Sequence, residues 1–365
     1  MLSRRTFLRS AALGVAAPFL NRGVFRLSAA IPSAPQYSAR TIELVEQSTV
    51  IDMLGLLTLD YPKLLGWETR PATFHDVDFS RLKSSGITVF HPAVGFTEGD
   101  VYSSSMRDIE GLNTFIAAHP NRFLRVDGSS DFARAKHTGK IGILIGQQNS
   151  RHFRTVDDVD CCYSLGQRVS QLTYVHNELG GGSSDSIDTG LSAFGVQVVA
   201  RMNEIGMVVD ISHCGDRTTL DAIEASCKPV LITHSNCRAL VQGSQRCKTD
   251  EAIQRTAAKG GVIGVTMVRK FVSSHQSATI ENVLDHIDHV VKLCGVEHVG
   301  IGSDVDLDGR DGHSHPRNKA DLDGIDYSKK VYDLTEGLLR RGYCGDDIAL
   351  ILGGNFERAL ASIWA

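Results

Sequence analysis

A chain of 365 residues with 42% hydrophobic and 22% charged side chains has ample material for a full core, which excludes a disordered or fibrous protein. The formal net charge is −4 and the basic cluster sits at the extreme N-terminus, so no electrostatic footprint for nucleic acid is present; a small-molecule or peptide substrate is the expectation. Eight cysteines without a CxxC pair exclude a zinc knuckle and a CxxC redox motif.

The chain opens on SRRTFLRS (residues 3–10), a twin arginine followed by Phe7 and Leu8, then the apolar AALGVAAPFL and a small-residue site at Ser28-Ala29-Ala30. That order predicts a twin-arginine export signal over residues 1–30, too short to span a membrane. It implies the twin-arginine export machinery as a partner, a periplasmic or extracellular destination, and no transmembrane segment after signal removal. In that oxidising compartment most of the cysteines are expected to act as small buried apolar residues, with any pairing open.

Residues 31–365 read as one domain. Apolar, β-branched runs of strand length follow at VIDML (50–54), ITVFHP (87–92), KIGILIGQQ (140–148), VSQLTYV (169–175), MVVDISH (207–213), PVLITHS (229–235), GVIGVTM (261–267) and HVGIGSD (298–304). Helical patterns precede the last four: FGVQVVARMNEIG, DRTTLDAIEAS, TDEAIQRTAAKG and ENVLDHIDHVVKLCG. Strand–helix alternation demands parallel strands with right-handed crossovers, and eight repeats predict an α/β fold closed as a (β/α)₈ TIM-like barrel. A doubly wound sheet is the competing architecture, and no Gly-rich phosphate fingerprint follows the first strand to support it. The tail from Tyr327 onward reads as terminal helices.

In such a barrel the chemistry lies at the C-terminal strand ends. The fifth strand ends in His213, the sixth in His234 and the eighth in Asp304, while the third ends in Gln147 and Gln148. Neutral imidazoles and a carboxylate converging on one rim suit zinc or a similar divalent ion. His91 also ends a strand, and its His-Pro context equally suits a structural turn.

VVDISHCGDRT, then KPVLITHSNCRAL, then GIGSDVDLDG resemble the membrane (renal) dipeptidase family of metallopeptidases, barrels of the metal-dependent hydrolase type in the amidohydrolase superfamily. The likeness extends through GLSAFGVQVVARMNEIG, DEAIQRTAAKGGVIGV and the terminal GGNFERAL. It implies that His213 and His234 hold the family's second metal and that Asp304 exchanges protons with the attacking water and the leaving amine. With one residue inserted before it, Arg246 falls on the arginine that binds the substrate carboxylate; the alternative is a solvated loop arginine. Dimers are usual in the family, so a homodimer is implied.

The sequence departs from the family at the other ligands. An Asp-Gly-His-x-Asp run is replaced by DMLGL, which keeps Asp52 but puts Leu54 and Leu56 at the first metal's liganding positions. Gln148 stands at the bridging glutamate, and Tyr174 at a substrate-contacting histidine, with His176 two residues on. Leucines donate no lone pair and a neutral amide cannot offset two cations, so one divalent ion, expected to be Zn²⁺, is predicted on His213 and His234 with help from Asp304 or Gln148, and a second is not. One ion can still acidify water and polarise a carbonyl. Three functions fit: an exported dipeptidase; a hydrolase of another small amide, ester or lactone; or a metal-free binding protein on the same barrel. The loops NELGGGSSDSIDTG and DLDGRDGHSHPRN are expected to wall the pocket.

Overall fold

In the computed structural model, which describes residues 37–275, 277–311 and 319–365, all eight predicted segments contain parallel strands. The export signal read over residues 1–30 lies outside the described residues, as does 312–318 of the second predicted pocket loop. The strands are β1 (Ile51–Asp52), β2 (Val89–Phe90), β3 (Phe123–Arg125), β4 (Ile141–Ile143), β5 (Gly146–Gln147), β6 (Val169–Gln171), β7 (Val208–Asp210), β8 (Ile232–Ser235), β9 (Ile263–Val265) and β10 (Val299–Ile301). They pair in the orders β3-β4-β2-β1-β10-β9-β8 and β5-β6-β7. Parallel bridges Val94–Gln147 and Asp210–Leu231 connect the two sets, so the staves run round from β1 through β2, β4 with β5, β6, β7, β8, β9 and β10 back to β1. The predicted third strand is thus one stave in two halves, interrupted at Leu144 and Ile145. β3, a three-residue strand absent from the sequence reading, adds to β4 from the side; a segment so short carries no period to detect.

Alternation along each stave divides the core. Ile51, Val89, Val169, Val208, Leu231 and Val262 form one buried cluster with Phe356, Leu360 and Ile363 of the terminal helix Asn355–Trp364. Their neighbours Phe90, Val209, Ile232 and Ile263 belong to the second, larger cluster, built with apolar side chains of the surrounding helices. Gly300 is required at that closure: a Cβ there would stand 2.5 Å from the Phe356 ring. The crossover helices match the predicted ones and carry the expected stops and starts. Ser192 caps Ala193–Ile205, which ends at Gly206 with φ 81°; Thr249 caps Asp250–Ala258; Thr279 caps Ile280–Cys294.

No disulfide forms among the described residues; Cys162, Cys214, Cys237 and Cys247 are buried as free thiols. No helix of the described residues is long and apolar enough to cross a membrane.

Candidate active site

Two aspartates at strand ends set the rim. Asp210 closes β7 and receives the Ser212 amide (2.9 Å), the Ser212 hydroxyl (2.5 Å), the Thr233 amide (3.1 Å) and the Thr233 hydroxyl (2.7 Å), tying β7 to β8. Asp52 closes β1 and takes the Ser303 amide (2.8 Å) and hydroxyl (2.5 Å) just beyond β10. The fully buried Lys330 ammonium lies 3.5 Å from Asp52 and donates to the Val305 carbonyl at 3.0 Å. Each clamp holds a neighbouring functional side chain: His213 follows Ser212, His234 follows Thr233, and Asp304 follows Ser303. Asp304 has φ 58°, the sole non-glycine residue with positive φ among the described residues, and its amide donates to the Leu54 carbonyl at 3.0 Å. Left-handed backbone at an aspartate costs on the order of 1 kcal/mol and persists because the surrounding contacts hold it.

His213 and His234 meet Nε2 to Nε2 at 3.0 Å. The Thr233 hydroxyl donates to Asp210, so His234 Nδ1, 2.8 Å from that oxygen, carries the proton and donates to it. His234 Nε2 is then the acceptor, and His213 Nε2–H donates to it. Burial first, then the positive Arg246, holds both imidazoles well below the ordinary histidine range, so both are neutral. Tyr174 stacks on His213 with centroids 4.1 Å apart.

A cavity of about 200 Å³ opens beside His213, lined by His213, Tyr174, Gln148, Asp304, Lys270 and Arg310 together with apolar side chains. His234 is fully buried beneath His213. Asp304 forms an ion pair with Arg310 at 2.6 Å. Gln148 faces the cavity, and its Nε2 donates to the Ala93 carbonyl at 2.9 Å.

The structure thus brings His213, Asp304, Gln148 and Tyr174 to one cavity with His234 buried against His213, and leaves two expected site residues off the cavity wall. His176 is exposed and does not line the cavity. Arg246 is neither a cavity-wall group nor a solvated loop arginine: it is buried, and its terminal nitrogens donate to the Ser212 carbonyl (2.8 Å), the His234 carbonyl (2.8 Å) and the Ser235 hydroxyl (3.1 Å). It braces the two histidine strands from behind. His91 is a buried structural residue whose Nδ1 lies 2.8 Å from the Leu144 carbonyl. Lys270 and Arg310 were not among the sequence candidates. Lys270 follows β9 by five residues, where the strand-end rule could have found it; Arg310 sits in a loop already read as a pocket wall.

The donor set decides what ion could be held. Leu54 is fully buried and Leu56 lines the cavity, so neither first-metal position offers an electron pair. Among the described residues no group of three or more His, Cys, Asp or Glu gathers to hold a metal. The family's paired centre does not fit this chain. The two Nε2 atoms, 3.0 Å apart, do fit two corners of one tetrahedral ion, which at bonds of ~2.0–2.1 Å stand roughly 3.3 Å apart.

Comparisons with known proteins agree with this architecture. Residues 38–364 match the family model described as membrane dipeptidase, peptidase family M19. The dipeptidase verJ of Clonostachys rogersoniana is 32% identical over 264 residues, 71% of this chain and 65% of that protein. The dipeptidase tcpJ of Claviceps purpurea is 30% identical over 272 residues, 72% of this chain and 61% of that protein. The matched region therefore spans somewhat less than two thirds of these curated relatives. Among solved structures, an amidohydrolase from Pseudomonas aeruginosa superposes with TM-score 0.77 at 28% identity, covering 89% of this chain and 99% of its own. The probable dipeptidase PvdM of the same organism gives TM-score 0.76 at 22% identity, covering 89% and 97%, and supports the fold alone. With the barrel, the strand-end histidines and a match running over residues 38–364, the chain belongs to the membrane dipeptidase family of metallopeptidases, M19.

Proposed function

We propose that the protein is a metal-dependent hydrolase that cleaves a dipeptide or a similar small amide at the mouth of its barrel. The observation that carries this reading is the His213–His234 pair, two neutral imidazoles meeting at 3.0 Å beside a cavity that also exposes Asp304. A single divalent ion, Zn²⁺ by the chemistry of two imidazole nitrogens, would be held by His213 and His234; bound there it would polarise the scissile carbonyl and acidify water. The protein's own groups do the rest. The Asp210–Thr233–His234 chain fixes the Nδ1–H tautomer of His234 and leaves its Nε2 lone pair directed at His213. Asp304, oriented by Arg310, is the carboxylate placed to accept a proton from the nucleophile and return it to the leaving amine. Tyr174 stacked on His213 and the apolar walls limit water around these groups.

Leu54, Leu56 and Gln148 favour a second reading, a binding protein on the same barrel without turnover. A panel of dipeptides, including ones with a C-terminal D-residue, assayed with and without added Zn²⁺ or Mn²⁺, separates the two. Hydrolysis that His213→Ala abolishes supports the enzyme, and absence of turnover in every metal overturns it. We also infer twin-arginine export of the mature chain to the periplasm or beyond, and a homodimer. Fractionation of cells carrying Arg4→Lys with Arg5→Lys tests the first, and the solution mass of the purified protein the second.

A further inference from the structure

We propose that this cavity selects amides that carry a free carboxylate but an acylated, uncharged amino end, and that Lys270 receives the carboxylate. The inference builds on the hydrolase reading and names the substrate class of the same site.

The argument starts from charge. Of the described residues lining the cavity, Lys270 and Arg310 are cationic and Asp304 is the only carboxylate. That carboxylate is engaged by Arg310 at 2.6 Å. Behind His213 stand two further cations, Arg246 and Lys248, and both depress its basicity. The two strand-end acids of the rim are engaged as well, Asp210 by Ser212 and Thr233 and Asp52 by Ser303 and Lys330. A zwitterionic dipeptide would have to bring its α-ammonium out of water into this field with no unengaged anion to receive it, and an unpaired buried charge costs several kcal/mol. A neutral amide N–H asks only for an acceptor. Gln148 supplies one: its Nε2 is held by the Ala93 carbonyl, which leaves its carbonyl oxygen for the ligand.

The opposite charge is provided for. Lys270 is exposed at the cavity, its ammonium rests 4.7 Å from the Phe271 ring centroid, and among the described residues no carboxylate lies within ion-pair distance of it. A cation on a short aromatic tether beside an open cavity is suited to an incoming carboxylate. The wall formed by Leu56, Leu57, Leu59 and Leu64 offers apolar surface where the family's first metal site would present charge, and an acyl group replaces water there at a gain of about 25 cal/mol per Å². Of the two leucines at the family's first-metal positions, Leu56 is part of this wall, and the buried Leu54 is not.

The test uses three probes of one skeleton: Ala-Leu, N-acetyl-Ala-Leu and N-acetyl-Ala-Leu amide, titrated calorimetrically into the mature protein with turnover followed in parallel. N-acetyl-Ala-Leu is expected to bind at least about tenfold more tightly than either of the others. Lys270→Ala should abolish the preference for acid over amide. Lys270→Glu should reverse that preference, N-acetyl-Ala-Leu amide binding more tightly than N-acetyl-Ala-Leu. Equal or tighter binding of Ala-Leu, an unchanged acid-to-amide ratio in Lys270→Ala, or no binding of any probe overturns the proposal. Failure of the hydrolase reading looks different: N-acetyl-Ala-Leu binds and is never cleaved.

Discussion

Lys330 is fully buried at the start of the helix Lys330–Arg340, yet it reaches the rim. Its ammonium lies 3.5 Å from Asp52, which in turn holds the Ser303 amide and hydroxyl and so sets the backbone that turns left-handed at Asp304. Replacement by methionine keeps the length of the stem and removes the charge. Asp52 would then be a fully buried carboxylate with no cation, and breaking one side of such a pair costs about 3–5 kcal/mol. Unfolding entropy of ~2.1 cal/mol/K per residue over roughly 330 residues makes each kcal/mol worth about 1.5 °C in Tm, so Lys330→Met should melt about 4–7 °C lower by calorimetry. The added change Asp52→Asn should recover part of the loss, because an amide has no charge left to neutralise. A single variant melting within 1 °C of the parent would refute the claim that this pair holds the β1–β10 rim together.

Elemental analysis of the mature protein should find no more than one equivalent of a zinc-like ion, lost in His213→Ala and in His234→Ala; two tightly held ions would contradict the ligand argument. Burial, reinforced by the neighbouring Asp108, pushes Glu68 from 4.5 up to about 8, and burial pushes Asp108 from 3.8 up to about 7. Both acids therefore bind protons more strongly folded than unfolded. Their contribution to stability is complete below pH ~4 and lost as pH rises through 7 to 8. Glu68→Gln should flatten the fall in Tm between pH 5 and pH 9 and leave the protein several degrees more stable at the alkaline end; an unchanged slope would show that Glu68 is ionised in the fold. Native protein should react rapidly with a thiol reagent at the exposed Cys161, Cys227 and Cys344, while the buried Cys162, Cys214, Cys237 and Cys247 react only on unfolding; rapid native labelling at any of those four, read by mass spectrometry of the peptides, would be inconsistent with the packing.

Much of the barrel is written locally. Runs such as MVVDISH and PVLITHS alternate between two buried clusters, and a stave with period two has only one place for the residue just past its end. That is why His213, His234 and Asp304 could be assigned to one rim from order alone, and why Leu54, Leu56 and Gln148 could be seen to lack ligand chemistry. Other features depend on partners remote in the chain. Arg246 is a backbone brace because three acceptors from β8 and the turn after β7 surround it, and no local pattern distinguishes that from a solvated loop. The pairing of Asp304 with Arg310 depends on a φ of 58° at the aspartate and on the path of the loop beyond it. Strand positions follow from side-chain alternation, which the local order of residues encodes; the charge balance of the cavity follows from loop dihedrals and from which ions meet across distant segments, and only the closed barrel settles those.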